Sequence, residues 1–145
     1  MFLFYLCIFF TATNYNCYSE EPDDNIIIYE ESFRILCHAN ILYMNNNEQT
    51  TAFFCLFENE NAINIFIELL GESETGVGIF YALLGLFEHD EDLYYEILKT
   101  IDLSTIIRVR SIRSSDVTDW YTLDELRIMI ESGRSMSNLK INRLY

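Results

Sequence analysis

Proline is almost missing from this 145-residue chain, occurring once at Pro22, and glycine occurs only five times. So few chain breakers exclude a collagen-like or Pro/Gly-rich flexible polymer and leave room for long helices. Basic residues are equally scarce over most of the length. Residues 1–98 hold 17 Asp and Glu against one cation, Arg34, a net of −16, whereas residues 99–145 hold 6 acidic and 8 basic residues, a net of +2. A total of −14 repels nucleic-acid phosphates and anionic lipid headgroups and speeds encounter with basic partners, so nucleic acid is excluded as the expected ligand. No apolar run reaches the roughly 20 residues that cross a bilayer as a helix, which argues against a transmembrane span.

Motifs that carry chemistry are missing as well. The two histidines, His38 and His89, have no Cys, His or carboxylate partners at a metal-ligand spacing. "EHDED" at 88–92 lacks the alternating oxygen ligands and central glycine of a calcium loop, and suits a solvated turn between helices. No Gly-x-Ser-x-Gly, phosphate loop or dinucleotide fingerprint occurs. A carboxylate pair assembled only by folding, such as Glu68 with Glu96, is the one route to a hydrolase that the sequence leaves open. We therefore expect no enzyme, no catalytic residue, no cofactor and no metal.

What is present is apolar. Hydrophobic residues make up 50% and aromatic residues 15% of the chain, enough to exclude disorder over most of its length and to build one core. The first twelve residues, "MFLFYLCIFFTA", match the apolar core of a signal peptide and precede the polar, acidic "TNYNCYSEEPDDN". Export to the periplasm, cell envelope or medium is the favoured interpretation. Lipid attachment at Cys17 and a buried N-terminal element of a cytosolic protein are the alternatives. The expected organisation is a leader-like segment at 1–20, one helical domain over 21–133, and a mobile tail at 134–145.

Apolar residues at three- and four-residue steps predict a first helix over 27–44, a turn at 45–48, and an antiparallel second helix through "QTTAFFCLFE". Cys37 and Cys55 lie nine residues either side of Asn46, so a hairpin centred there puts their thiols at one height. Their disulfide is one expectation, and two small buried apolar residues are the other. A third helix runs through "NAINIFIELL", a fourth from near Thr75 to near Glu88, and a fifth through "DEDLYYEILKTI". Leu-Phe-Glu recurs at 56–58 and 86–88, a spacing that suits stacked helical hairpins. The predicted fold is thus all-α: packed antiparallel hairpins in a HEAT-like arrangement, with one short extended segment near 105–113.

Gly78, Ala82 and Gly85 stand at i, i+4 and i+7 of the fourth helix. A stripe without side-chain bulk lets a neighbour approach closely, and those contacts offset the roughly 1 kcal/mol that each glycine costs in a helix. The same stretch, "GIFYALLGLFEHDEDLYYEIL", resembles the signature of a poorly characterised group of exported bacterial proteins: Gly78, Tyr81, Ala82, Leu83, Gly85, Leu86 and Asp90 match it. The resemblance implies an all-helical exported protein of unknown function and brings no catalytic residue. Cysteines that the group often carries, at the position of Leu84 and after the fifth helix, are missing here.

In "STIIRVRSIR", Ile107, Val109 and Ser111 alternate with Arg108 and Arg110, giving an extended segment with one covered and one cationic face. A lone strand has no ladder to join, so it is expected to lie along the helices. Arg108, Arg110 and Arg113 are expected to pair with the acidic body of the same molecule, or else to contact phosphate or an acidic partner. Thr122 and Glu125 have capping-box spacing and open a last helix that stops at Gly133. These features favour a non-enzymatic exported domain acting through protein contacts; the alternative is an acidic inhibitor or immunity-like protein that blocks a basic partner.

Overall fold

A computed structural model describes residues 22–43, 47–110 and 118–142. The leader-like segment 1–20 with Cys17, the residue Arg113, and residues 143–145 of the expected tail lie outside the described residues. Among those described, the fold is mostly helical, but a three-stranded sheet stands where the sequence predicts one lone extended segment among helices.

Helix α1 (Pro22–Cys37) stops seven residues before its predicted end at 44. Residues 42 and 43 are instead extended as β1 (Leu42–Tyr43). Buried Gln49 holds residues 41–43 out of the helix. Its amide nitrogen donates to the Ile41 carbonyl at 2.9 Å, and its amide oxygen accepts from Tyr43 N–H at 3.2 Å and from the Tyr81 hydroxyl at 3.1 Å. Backbone groups claimed in this way are not free to continue a helix.

Gln49 sits on α2 (Asn47–Phe57), which packs chiefly on α1. Helix α3 (Ala62–Glu72) follows, and its Ala62, Ile65, Phe66 and Leu69 form one buried stripe at helical spacing. Helix α4 (Gly76–His89) is the centre of the molecule. Thr75 caps it by accepting from Gly78 N–H at 3.2 Å, and Val77, Gly78 and every residue from Phe80 to Leu86 are buried. A helix apolar all round must be enclosed, and α4 touches α1 and α3 and three elements still to come. These are α5 (Glu91–Leu98), β2 (Ile106–Arg110) and α6 (Leu123–Glu131). The Leu-Phe-Glu units occupy corresponding places, at the C-terminal ends of α2 and α4. Phe53 anchors the aromatic core, with its ring centroid 5.4 Å from those of Phe54 and Phe57 and 5.7 Å from those of Phe66 and Tyr81.

The extended segment is not alone. β2 pairs in parallel with β1, Leu42 opposite Val109, and antiparallel with β3 (Thr118–Thr122), Arg108 opposite Trp120. Ile107 and Val109 turn inward onto the core while Ile106 and Arg108 turn out, as a period of two requires. The Thr122–Glu125 capping box then starts α6, with Thr122 N–H donating to the Glu125 carboxylate at 2.7 Å.

Gly133, at φ +71°, makes the left-handed turn out of α6 that L side chains resist. Beyond it, where a mobile tail is expected, residues 134–142 form α7 (Arg134–Asn142), with Ser135 and Met136 buried. Met136 supplies the apolar anchor that holds this short helix to the body.

Candidate interaction surface

Each strand of the sheet brings an aromatic or cationic side chain to the outward face. Arg108 and Arg110, two apart on β2, point the same way. Trp120 lies opposite Arg108 on β3, and Tyr43 lies opposite Arg110 on β1. The Arg108 guanidinium carbon is 5.7 Å from the Trp120 ring centroid, and that of Arg110 is 5.7 Å from the Tyr43 ring. Two cross-strand cation–π pairs thus share one face, each contributing about 0.5–1 kcal/mol when exposed. Trp120 is 66% and neighbouring Ile106 65% exposed, so the face is open to solvent.

The expected pairing of the arginine trio with the acidic body is corrected for Arg108. Among the described residues it makes no ion pair; its cation rests on an indole. Ion pairs among these residues are local to helices: Arg34 with Glu31, Lys99 with Glu96, and Arg127 with both Asp124 and Glu131. The reason is register, since strand pairing sets Arg108 opposite Trp120.

The other singled-out residues have structural partners. A Cβ on Gly85 would enter the Phe66 ring of α3, and one on Gly78 would meet the Ser73 side chain and the Leu36 carbonyl of α1. Ala82 between them is fully buried. The stripe therefore receives two elements rather than one. The expected Cys37–Cys55 disulfide is not formed. Cys37 is a free, buried thiol that donates to the Glu72 carbonyl at 3.4 Å, whereas Cys55 is held in a disulfide that does not involve Cys37. Because α1 ends at Cys37, the hairpin is not symmetric about Asn46 and the two thiols do not face each other.

Glu68 and Glu96 each have a partner of their own. Tyr29 has its phenol pKa raised by burial and then by the Glu68 carboxylate beside it, and Glu96 takes Lys99 at 2.6 Å. His89 stacks on Phe57 with ring centroids 4.4 Å apart, and its Nε2 lies 3.0 Å from the Phe57 carbonyl at the end of α2. Asp90 caps α5 by accepting from Leu93 N–H at 2.9 Å. Among the described residues, no group of three His, Cys, Asp or Glu side chains is placed to hold a metal, and no helix is long and apolar enough to cross a membrane.

Sequence reasoning missed Trp120, Tyr43 and Ile106 as members of the face. The available signal was Trp120, the one tryptophan, in a polar run that alternates like the arginine segment. It also missed a polar cluster between α5 and α6. Buried Tyr94 donates to the Glu131 carboxylate at 3.3 Å, and Arg127 donates to that carboxylate and to Asp124, each at 2.8 Å. Burial, and then Glu131, push the Tyr94 phenol up from its ordinary pKa. Compared with protein-family models, curated proteins and solved structures, the chain matches none.

Proposed function

We propose that this protein is a non-enzymatic, exported interaction domain: a stack of helical hairpins that presents the outward face of its sheet to a protein partner. The observation that carries the proposal is Trp120, two-thirds exposed at 66% on a strand pinned by five register pairs, with the Arg108 guanidinium against it. Trp, Tyr and Arg are the residues that most often dominate binding energy at interfaces, and here they converge on one rigid face. The apolar start, the likeness of residues 78–90 to an exported bacterial group, and the disulfide at Cys55 support export, since disulfides persist in oxidising compartments.

The acidic-inhibitor alternative rests on a different surface, the exposed carboxylates Glu88, Glu91 and Asp92 around the α4–α5 turn. A photo-crosslinking phenylalanine analogue separates the two. Placed at position 120 in cells making the protein, it should give a discrete protein adduct, and placed at position 92 it should give none. Adducts from position 92 alone would favour the inhibitor; adducts from neither position would refute an interaction role.

A further inference from the structure

Resting on the interaction role above, we propose that the partner element is an extended, carboxylate-bearing peptide segment that adds along β3 as a fourth strand. Three features of the sheet define it. Among the described residues β3 pairs only with β2 and so forms an edge; alternate residues of an antiparallel strand turn their backbone donors and acceptors outward, here Thr118 and Trp120, since Thr122 N–H is already given to the Glu125 carboxylate. A residue of that strand placed beside Trp120 lies on the outward face, next to an exposed indole and the guanidinium resting on it.

Among the described residues no carboxylate answers the charge of Arg108 at that spot, although the protein has 23 Asp and Glu. An Asp or Glu beside Trp120 completes a charge-assisted contact, and its aliphatic stem covers the ring. Asp119, the neighbour of Trp120 on β3, is exposed and points to the opposite face, so it disfavours an acid at the next position of the added strand. The two requirements together specify an alternation, acidic outward and apolar or neutral inward.

Polyanions fit less well. Nucleic acids and anionic membranes draw their affinity from broad cationic surfaces, and the net −14 of this chain works against both. A peptide needs only the local charge, because the field of the acidic body is screened beyond roughly 8–10 Å at physiological salt.

Trp120 is the sole tryptophan and reports on its own face. The probe is an end-blocked decapeptide of alternating Glu and Val, titrated into the full chain while tryptophan emission and acrylamide quenching are followed. Binding should shift the emission to the blue and protect the indole. Arg108→Gln should weaken it roughly tenfold, the scale of one charge-assisted contact, and Arg108→Lys should retain most of it. Circular dichroism checks that both variants fold. N-methylation of alternate residues of the peptide should abolish binding by removing the main-chain bonds. Equal binding of a Lys–Val decapeptide, indifference to Arg108→Gln, or no emission change overturns the proposal. So does a response to phosphatidylglycerol vesicles or a single-stranded oligonucleotide without one to the peptide. If position 120 still yields a protein adduct while the peptide fails, the acidic strand is wrong and the interaction role stands; if both fail, both are wrong.

Discussion

Gly85 offers a test in which two ordinary effects have opposite signs. In a helix interior, Gly→Ala gains about 1 kcal/mol of propensity. At Gly85, however, the new Cβ would sit within the van der Waals shell of three carbons of the Phe66 ring, Cζ among them at 2.5 Å. Carbon atoms rest about 3.5–4.0 Å apart, so the ring must recede by at least about 1 Å. It has nowhere to go, being fully buried with the Phe53 centroid 5.7 Å and the His89 centroid 6.3 Å away. We therefore take the upper part of the range of about 1–3 kcal/mol for overpacking, which leaves Gly85→Ala destabilised by about 1–2 kcal/mol and Gly85→Leu by more. Gly71 of α3 is the matched control: a Cβ there meets nothing within 4 Å, so Gly71→Ala should stabilise by about 0.5–1 kcal/mol. Urea titrations give both values, and in a chain of this size 1 kcal/mol moves Tm by about 2–4 °C. Phe66→Leu should relieve part of the Gly85→Ala loss in a double-mutant cycle, since the two groups touch. If Gly85→Ala stabilises as Gly71→Ala does, the close packing of α4 on Phe66 is wrong.

Two further outcomes follow from buried groups. Burial raises the phenol pKa of Tyr81 and of Tyr94, the latter helped by Glu131, while both phenols titrate near 10 once unfolded. Their contribution to stability is thus complete below about pH 10 and is lost as pH rises beyond it. The urea midpoint should fall above that pH and fall less steeply in Tyr94→Phe; a flat alkaline limb would refute the burial. Cys37 should resist alkylation in the native protein and react only on unfolding, whereas Cys55 should react only after reduction. Peptide mapping under non-reducing conditions checks both, and native-state labelling of Cys37 would contradict its placement.

Features set by neighbours in sequence were legible. The cap at Thr75, the Thr122–Glu125 box and the third helix through "NAINIFIELL" each depend on residues close in sequence, and each stands where local spacing puts it. Features set across the fold were not. β1 has only two residues, too few for any periodicity, and is extended because Gln49 and β2 engage its backbone. The helical spacing that runs through residues 27–44 could not reveal that competition. Arg108 and Arg110 stood out from their alternation, but the rings they rest on come from residues 43 and 120, and only strand register brings those together. Met136 shows the same limit, as one anchor converts an aperiodic tail into α7.

The basic C-terminal third contains arginines of two kinds, and one substitution separates them. Arg127 has its side chain 27% exposed and is paired with two carboxylates: it donates to Asp124 and to Glu131, itself 24% exposed and also bonded by Tyr94. Arg127→Gln removes charge-assisted bonds from a partly buried carboxylate and should cost about 1–3 kcal/mol, with the α5–α6 contact loosened first. Arg108 is exposed and gives up only its contact with the Trp120 ring, so Arg108→Gln should stay within about 0.5–1 kcal/mol of wild type. Raising salt should shrink the Arg127 loss only partly, because pairs removed from solvent are screened less than exposed ones. Denaturant titrations of both variants at low and high salt decide the matter. Equal losses that vanish together at high salt would mean that both cations serve the general field of the acidic body, and Arg108 would then have no claim to an outward role.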